Sequence, residues 1–347
     1  MVRVAIIGTG GMANHQAKAF SEIEGCSLVA ACDIDRDRVS DFGQKYEIEK
    51  LYTDADLMLA EVDCDAVTII TPDAFHHPLT MKAIAAGKHV LCEKPLALNA
   101  PDAREMAEAA RTRGVINMVN FSYRNSSAIQ YAAKLSSKGA LGTIRHVHAS
   151  YLQGWLAQDD WGFWETSPSW LWRLSTERGS MGVLGDLGVH ILDFAGMPAG
   201  AYKAVRCKLK TFDKGENNTM GGFHLDANDS AIITAEFASG AIGTIHTTRW
   251  AQPHRNSIKL NVYGDKAAVE IDLDESYSQL KISRLLGRKS MPWELVDCGE
   301  TPTNIERFVM AVETGRQDGA DFARGAEIQS VLDACFESDE QDRTITL

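Results

Sequence analysis

The sequence lacks the features that mark membrane proteins, zinc-binding modules and secreted chains. No stretch approaches the roughly 18 consecutive apolar residues of a membrane-spanning helix. The seven cysteines form no CxxC pair, which argues against a zinc knuckle or a redox dithiol. Glycines interrupt the short apolar run of the N-terminal MVRVAIIGTGG. We therefore interpret this segment as a strand rather than a signal peptide, and we expect a cytoplasmic protein.

Basic residues are also in deficit. The chain has 35 Lys and Arg residues against 47 Asp and Glu residues, a net charge of −12. Proteins that bind a nucleic-acid backbone need a basic face, so this balance excludes nucleic acid as an expected partner. Internal repeats and low-complexity linkers are absent as well. The 347 residues are enough for two domains at roughly 100–200 residues each.

The first part of the chain alternates strand and helix signals. Short apolar runs bounded by glycine, proline or a charged residue are separated by helical patterns, and these runs lie at residues 2–8, 27–33, 66–72, 88–95 and 115–121. Such alternation predicts βαβ units around a buried parallel sheet. We therefore predict a parallel α/β domain over residues 1–121.

The pattern changes after residue 121. Several segments alternate apolar and polar residues with a period of two, and turn signals such as the ASG at 238–240 separate them. Two helical stretches, 303–315 and 323–338, follow near the end of the chain. We therefore predict a second α/β domain over residues 122–347, with a large, mostly antiparallel open sheet.

The first strand runs directly into a GxGxxA motif. Gly8 allows the tight turn, Gly10 lets the backbone approach a pyrophosphate, and Ala13 is small enough for the helix to pack on the strand. The N-terminus of that helix offers unpaired N–H groups and a positive dipole end to the phosphates. The motif therefore predicts a dinucleotide-binding Rossmann domain.

A carboxylate ends the second strand. Asp33 lies 25 residues after Gly8, where it can accept hydrogen bonds from the adenosine ribose hydroxyls and repel a 2′-phosphate. It predicts NAD as the cofactor. Arg36 and Arg38 follow closely and could receive a 2′-phosphate, so NADP stays open as the less favoured alternative.

Three stretches together resemble one family. They are the glycine motif, TPDAFHHP at 71–78 with CEKP at 92–95, and WRLSTERGSMGVLGDLGVHILD at 172–193. The chain resembles, over nearly its whole length, the glucose–fructose oxidoreductase / inositol dehydrogenase family, Gfo/Idh/MocA. The combination of EKP with a DxGxH motif that begins 92 residues after the lysine is specific, whereas either motif alone is not.

The resemblance implies an architecture and a set of functional residues. It implies a Rossmann domain and a second domain whose open sheet mediates assembly into a homodimer or homotetramer. It implies catalysis by Lys94, Asp186 and His190. With Arg38 added from the sequence itself, the expected cofactor-binding residues are Gly8, Thr9, Gly10, Gly11, Met12, Ala13, Asp33, Arg38, Thr71, Pro72, His76, Glu93, Lys94, Trp172 and Arg173. The expected substrate-binding residues are Lys94, Asn120, Tyr123, Arg124, Trp155, Arg173, Asp186 and His190.

The three catalytic side chains suit the oxidation of a secondary alcohol, which releases a hydride and a proton. Asp186 and His190 are four residues apart in a predicted helix and therefore share a face. A histidine titrates near pH 6.5 and is suited to act as a general base, so we assign that role to His190. Asp186 would orient the imidazole or a substrate hydroxyl. Lys94, which Pro95 keeps out of a helix, would stabilise the developing alkoxide.

Tryptophans suggest the chemical class of the substrate. Five of the seven lie within residues 155–172. One interpretation is a packed loop. The other is a lid whose indoles, Trp155 and Trp164 among them, stack on sugar C–H groups. The second interpretation predicts an inositol, a free sugar or a glycoside as substrate.

Three functions stay open at this point. The leading hypothesis is an NAD-dependent oxidoreductase that transfers a hydride between a secondary alcohol of a sugar, glycoside or inositol and the nicotinamide. The second is a redox-neutral glycosidase that uses NAD only transiently, through oxidation, elimination and reduction. The third is a non-catalytic NAD-binding regulator. A DxxxH pair is also half of a metal site, but no further cluster is spaced to complete it, so we expect no metal.

Overall fold

The computed structural model describes residues 1–347, except for the side chain of Ser169. The chain forms two compact units, each made of two segments. The first comprises Met1–Ser122 and Pro302–Gln329, and the second comprises Tyr123–Thr301 and Ser330–Leu347. A single boundary at residues 121/122, as the sequence pattern suggests, does not include this return of the chain. Residues 302–329 belong to the first unit because they bind the end of its sheet. The N–H of Val119 donates to the carbonyl of Ala320, and the side chain of Asn117 accepts the N–H of Phe322.

The first unit contains a six-stranded parallel sheet. Its strands are β1 (Val2–Ile7), β2 (Cys26–Cys32), β3 (Leu51–Tyr52), β4 (Ala66–Ile69), β5 (His89–Cys92) and β6 (Asn117–Val119). Its first helices are α1 (Gly11–Ser21), α2 (Arg36–Tyr46), α3 (Ala55–Glu61), α4 (His76–Ala85) and α5 (Ala100–Arg113). The sequence pattern did not predict β3 or α3, because a two-residue strand and a seven-residue helix are too short to show a period.

The strand order of this sheet is β3-β2-β1-β4-β5-β6. The order reverses between β1 and β4, and ligands of open α/β sheets bind outside the carboxyl ends of the strands at such a reversal. The GxGxxA loop follows β1 and Thr71 follows β4, so both lie at this edge. Glu93 and Lys94 follow β5 at the same edge.

The second unit contains a ten-stranded sheet and a separate two-stranded hairpin. Its helices are α6 (Ser127–Ser137), α7 (Pro168–Leu171) and α8 (Val189–Ala199). Two helices follow its strands, α9 (Asn304–Thr314) in the first unit and α10 (Phe322–Gln341), which is shared between the units. The strands are β7 (Ile144–Leu152), β8 (Tyr202–Lys210), β9 (Thr219–Met220), β10 (Phe223–His224), β11 (Ser230–Phe237), β12 (Ile242–Thr248), β13 (Ser257–Gly264), β14 (Ala267–Asp272), β15 (Gln279–Leu286), β16 (Lys289–Ser290), β17 (Glu294–Asp297) and β18 (Ile345–Thr346).

The large sheet has one covered face and one open face. Its order is β16-β15-β14-β13-β7-β12-β11-β8-β18, with β17 on β15, and every pair is antiparallel except β7 with β12. Side chains along β11 alternate between buried and exposed, as the period of a strand requires. Helices α6 and α8 pack on one side. The open side carries Ile232 and Ile242, which are 63% and 56% exposed.

The fold class predicted from the sequence is thus confirmed: a parallel Rossmann sheet and a large, mostly antiparallel sheet. Among the residues that the structure describes, no helix combines the length and apolar character needed to cross a bilayer.

Candidate active site

The loop after β1 forms a cradle that fits a dinucleotide pyrophosphate. Gly8 has a φ of +93°, and a Cβ at this position would lie 2.5 Å from the carbonyl oxygen of Ile70, so only glycine fits. A Cβ at Gly10 or Gly11 would meet no described atom within 4 Å, which leaves space above the N-terminus of α1. No side chain caps that helix, and its first turn holds no acidic residue. Its N–H groups are therefore available to phosphate oxygens.

The other residues of the loop support this cradle. Ala13 is buried in the core cluster between α1 and the sheet, as a small residue at that position should be. Thr9 is buried and donates from both its N–H and its hydroxyl to Asp33, at 2.8 and 3.0 Å. Met12 is exposed at the start of α1.

Asp33 directly follows β2 as a buried, ionised carboxylate. Burial opposes its ionisation, but hydrogen bonds from the N–H groups of Asp35 and Thr9 and from the Thr9 hydroxyl, together with the charge of Arg38, lower its pKa. Because the pKa is lower in the folded chain than in the unfolded one, its contribution to stability is present above about pH 3.9 and is lost as the pH falls through the folded pKa. Arg38 Nη1 lies 3.4 Å from Asp33 Oδ1. The ionised carboxylate of Asp33 accepts hydrogen bonds from ribose hydroxyls and repels a 2′-phosphate.

We expect Asp33→Asn to reduce the preference for NAD⁺ over NADP⁺. A hydrogen bond to a charged group contributes about 1.5–3 kcal/mol. Its loss should therefore lower the ratio of kcat/KM for the two cofactors by roughly tenfold or more. The exposed Asp41→Asn on α2 makes the same change of charge and serves as the control. Steady-state rates with each cofactor measure the ratio, and an unchanged ratio in Asp33→Asn would contradict the assignment.

Glu93 is fixed by a buried polar network. Its Oε1 accepts hydrogen bonds from Gln16 Nε2 at 2.6 Å and from Asn120 Nδ2 at 2.7 Å, and all three side chains are buried. Gln16 in turn accepts from Thr68 at 2.6 Å. The backbone N–H of Lys94 donates to Glu93 Oε2 at 3.3 Å. The Glu93 carboxylate thus fixes the backbone at Lys94. This contact explains why an acidic residue directly precedes the lysine in the sequence.

Asn120, predicted to bind substrate, belongs to the same network. Besides its bond to Glu93, it accepts a hydrogen bond from Asn304 Nδ2 of α9 at 3.1 Å. Asn304 Oδ1 accepts from Arg307. The returning segment of the chain therefore helps to orient the side chains at the carboxyl end of β5.

The segment that follows β4 carries three predicted cofactor residues. Pro72 is solvent-exposed. The Oγ1 atom of Thr71 is buried and has no hydrogen-bond partner among the described residues, so this hydroxyl is available to bind a ligand. His76 is fully buried, and both of its ring nitrogens face backbone carbonyls, at Pro95 (2.7 Å) and Thr71 (2.9 Å). A direct role of His76 in cofactor binding stays a prediction, since its ring is engaged with the main chain.

In the second unit, Asp186 lies in a π-helical turn, Leu184–Gly188, that precedes α8. Such turns are rare and occur frequently at functional sites. Asp186 Oδ2 accepts a hydrogen bond from Arg249 Nη2 at 3.1 Å and lies 3.9 Å from Arg173 Nε. Arg249 is fully buried, and it also donates to the carbonyls of Arg173 and Gly182. Asp186 is thus oriented by an arginine that the sequence did not single out.

His190 follows in α8 and lies against two tyrosines. The ring of Tyr123 meets the imidazole edge-on at 4.9 Å between centroids, and the ring of Tyr151 lies at 6.4 Å. Tyr151 donates to Asn256 Oδ1 at 2.6 Å, and Asn256 Nδ2 donates to the hydroxyl of Tyr123 at 2.7 Å. The single proton of Tyr151 is then in use, so in the 2.6 Å contact between the two hydroxyls Tyr123 donates and Tyr151 accepts.

This ring of three hydrogen bonds keeps both tyrosines in place beside His190. Burial, the neighbouring Tyr123 and the charge of Asp186 raise the pKa of Tyr151 well above its ordinary value. Tyr151 therefore stays a neutral hydroxyl. Its role in the site was missed from the sequence, where it was only one of several residues in a predicted strand.

Arg124, predicted to bind substrate, is held by an internal carboxylate. Its Nε and Nη2 atoms donate to the two oxygens of Asp193 at 2.7 and 2.6 Å, and both side chains are buried. This bidentate pair connects the turn before α6 to α8, the helix that carries His190. Direct binding of substrate by Arg124 stays a prediction.

The tryptophan segment forms an aromatic cluster. Trp155 and Trp164 are buried within it, with Leu171, Leu174 and Leu225. Trp155 donates to Gln153 at 2.9 Å, and its ring lies 5.1 Å from Trp170 and 5.2 Å from the guanidinium of Arg249. The packing interpretation therefore describes Trp155 and Trp164, whose indoles are covered by other side chains, better than the lid interpretation. Trp155 was predicted to contact the substrate, but only 3% of its surface is exposed.

Trp172 and Arg173 differ from these buried tryptophans. Trp172 is 37% exposed. The Arg173 guanidinium lies over its ring at 4.7 Å and over Trp170 at 5.4 Å. The two side chains are stacked and partly open to solvent, which suits the predicted contact with a ligand.

We expect Trp155→Ala to destabilise the protein strongly. Removing a buried aromatic side chain usually costs about 3–5 kcal/mol, because contacts are lost and a cavity remains. Trp293→Ala is the matched control, since that tryptophan is 46% exposed near the edge of the sheet. Urea unfolding of both variants measures the difference. If Trp155→Ala costs no more than Trp293→Ala, the assignment of Trp155 to the core is wrong.

One group of potential metal ligands occurs among the described residues. His77, Asp102 and Glu105 have ligand atoms within 4.8 Å of one another. His77 Nε2 lies 3.0 Å from Glu105, and Asp102 accepts from Asn99. A hydrogen bond and a helix cap account for these contacts, and neither His190 nor Asp186 belongs to the group.

Two comparisons with family models cover most of the chain. A model described as the oxidoreductase family with an NAD-binding Rossmann fold matches residues 2–121, and that of the GFO/IDH/MocA C-terminal domain matches residues 129–270. The chain belongs to the Gfo/Idh/MocA family of oxidoreductases. The resemblance drawn from the sequence motifs is confirmed, and NAD is the cofactor of its Rossmann domain.

Several members of the family are similar in sequence or structure. Levoglucosan dehydrogenase of Pseudarthrobacter phenanthrenivorans is 28% identical, over 85% of this chain and 83% of the relative. D-Glucoside 3-dehydrogenase of Escherichia coli is 28% identical, over 100% and 97%. A 2,7-anhydro-N-acetylneuraminate hydratase of Mediterraneibacter gnavus is 26% identical, over 81% and 70%. A solved levoglucosan dehydrogenase in complex with NADH has the same fold, with a TM-score of 0.88 at 22% identity over 99% of this chain and 98% of that one.

Sequence reasoning missed several residues of this Gfo/Idh/MocA site. They act from a distance in sequence on the predicted residues, and they are Gln16, Tyr151, Gln153, Arg249, Asn256 and Asn304. Arg249 offered one signal, a charged residue directly after a strand of alternating pattern. The others are common polar residues, and only the folded chain shows what they bind.

Proposed function

We propose that the protein is an NAD-dependent dehydrogenase that oxidises a secondary alcohol of a sugar, a glycoside or an inositol. The proposal is carried by the cradle of Gly8 and Asp33 in a chain with relatives named as levoglucosan and D-glucoside dehydrogenases. NAD⁺, when bound, supplies the hydride acceptor. The phosphates would lie on the N–H groups of α1, and the adenosine ribose on Asp33.

Lys94 and His190 handle the charge that the reaction creates. His190 accepts the proton of the substrate hydroxyl, as the general base. Lys94 donates a hydrogen bond to the same oxygen while it becomes a carbonyl and so stabilises the developing negative charge. Asp186 is anchored by Arg249, and it would orient the imidazole of His190 or a substrate hydroxyl.

The substrate is a polyhydroxylated ring. The second unit presents Tyr123, Trp172 and Arg173 as partly exposed side chains, which offer hydroxyl, aromatic and guanidinium groups to a sugar. The Tyr123 ring packs on His190, so a substrate that touches it would be near the proposed base. The printed names of the dehydrogenase relatives agree with a carbohydrate.

The test begins with the purified protein. One sample is denatured to release and identify bound NAD(H). A second, native sample is incubated with NAD⁺ and a panel of anhydrosugars, glycosides, free sugars and inositols. We expect NADH to accumulate with one class, together with a keto product that has lost two hydrogen atoms. If a glycoside is cleaved or a sugar hydrated while no NADH accumulates, the redox-neutral alternative replaces this proposal. Bound NAD without any turnover would favour the regulator.

We propose that the protein assembles as a homodimer or homotetramer through the open face of its large sheet. This face combines the exposed Ile232 and Ile242 with the histidine pair His148 and His246, whose rings are 5.6 Å apart. Burial and the neighbouring His148 lower the pKa of His246, which favours its neutral form and suits an interface. Five of the seven cysteines are buried thiols, which agrees with a reducing cytoplasm.

We expect light scattering at micromolar concentration to give the molar mass of a dimer or a tetramer. The Ile232→Asp variant should have a lower molar mass. A charge at a buried interface leaves an unpaired ion away from water. Leu57→Asp on α3 places the same charge on another exposed apolar side chain and should leave the mass unchanged. A monomeric wild-type protein would refute the assembly.

A further inference from the structure

The buried His76 makes two contacts that a neutral histidine cannot satisfy together. Nδ1 lies 2.7 Å from the carbonyl oxygen of Pro95, and Nε2 lies 2.9 Å from that of Thr71. A carbonyl oxygen can only accept a hydrogen bond, whereas a neutral imidazole has one N–H and one lone pair. One of the two contacts would then place two lone pairs against each other. Only the doubly protonated ring donates to both.

We propose that His76 is held as an imidazolium ion that clamps the carboxyl ends of β4 and β5 together and thereby positions Lys94. Thr71 follows β4, and Pro95 directly follows Lys94. On the other side of the lysine, Glu93 is fixed by Gln16 and Asn120 and accepts the N–H of Lys94. The lysine backbone is therefore held from both directions. His76 is a positioning residue, because it acts on Lys94 and does not touch the reacting atoms.

The surroundings of His76 support a cation. Burial lowers its pKa, but Cys92 of β5, Asp73 in the turn before α4 and the carbonyl of Pro95 all raise it, to about 10. Cys92 and Asp73 are the titratable groups that act on this ring from the elements packed against it. Burying a cation is costly unless its hydrogen bonds are satisfied, and here both N–H groups have acceptors.

Nitrogen NMR of the full chain labelled with ¹⁵N-histidine tests the charge directly. We expect both His76 ring nitrogens to resonate in the protonated range and to stay there from pH 6 to about pH 8.5, below the pKa of about 10. His89 is an internal comparison, because its Nδ1 accepts the N–H of Ile116 and its pKa is lowered by burial. It should show one protonated and one unprotonated nitrogen at pH 8.

The variant His76→Gln assigns the signal and tests the positioning role. A glutamine is neutral and donates to carbonyls from one nitrogen only. Because the effect on catalysis rests on the proposed role of Lys94, it is measured separately from the charge. We expect kcat for NADH formation to fall by at least about tenfold, as for a misplaced catalytic group, while KM for the sugar changes much less. His77→Gln, the neighbouring histidine, should leave kcat unchanged.

The outcomes separate the two parts of the inference from the proposed function. One unprotonated His76 nitrogen at pH 8 overturns the clamp. An imidazolium signal with an unchanged kcat in His76→Gln overturns the positioning of Lys94. If the wild-type protein turns over no sugar, the NMR measurement still decides the charge. If His76→Gln does not fold, Cys92→Ala assigns the His76 signal through its shift, and the same spectrum decides.

Discussion

Replacing His190 by asparagine should lower the rate of NADH formation by about 10²–10⁴-fold, the usual contribution of a general base. Asparagine is similar in shape to histidine and should preserve the first turn of α8, but it cannot accept the substrate proton. We expect bound NAD(H) to be retained, because the cradle at Gly8 and Asp33 lies in the other compact unit and is unchanged. Steady-state kinetics and cofactor release on denaturation measure the two quantities.

The control for this variant is His224→Asn, which changes an exposed histidine of β10 in the same unit. It should retain full activity. In His190→Ala, added imidazole should restore part of the rate if the lost function is proton transfer. A His190→Asn variant that keeps wild-type kcat would remove His190 from the mechanism.

Replacing Lys94 by methionine should lower kcat by about 10²–10³-fold, as expected when a donor to a developing oxyanion is removed. Methionine preserves length and apolar character but provides no hydrogen bond or charge. Lys94→Arg should not restore the rate, since the guanidinium is planar and larger than an ammonium group. The polar network of Glu93, Gln16 and Asn120 is intact in both variants, so the free energy of unfolding should change little.

Lys82→Met provides the comparison, because this exposed lysine of α4 forms a surface ion pair with Asp56. It should leave kcat unchanged. A Lys94→Met variant with nearly normal kcat and a raised KM would show that Lys94 contributes binding alone, and the proposed stabilisation of the alkoxide would then be wrong.

The sequence predicted those parts of the molecule that depend on local patterns. The glycine of the cradle is required by one backbone angle, and the strand and helix alternation follows from burial on both sheet faces. The family followed from a specific combination of short motifs, and the NAD cofactor followed from the glycine motif together with Asp33. The two-residue β3 and the short α3 could not be predicted, since neither is long enough to show a period.

The roles of single polar residues were predicted less well, because hydrogen bonds join residues that are distant in sequence. Asn304 reaches Asn120 across 184 positions, and Arg249 reaches Asp186 across 63. The indoles of Trp155 and Trp164 illustrate the same limit. Their clustering in sequence fits a lid and a packed core equally well, and only the burial of both residues favours the core.

The role of Asp186 also changes in emphasis with the structure. The DxGxH spacing suggested that it orients the imidazole of His190 or a substrate hydroxyl. Its contacts with Arg249 and Arg173 show in addition that the carboxylate itself is anchored by two cations. Arg249 is therefore the residue on which the position of Asp186 depends.

Transfer of deuterium from the substrate to the nicotinamide decides whether the protein is a net dehydrogenase. A sugar or glycoside that supports turnover is prepared with deuterium on its ring carbons, and the protein is supplied with unlabelled NAD⁺. We predict that each reduced nicotinamide formed carries one deuterium and that the product is a ketone at the carbon that lost it. Reduced cofactor without deuterium, or a sugar that is cleaved or hydrated with no reduced cofactor accumulating, would contradict a net dehydrogenase.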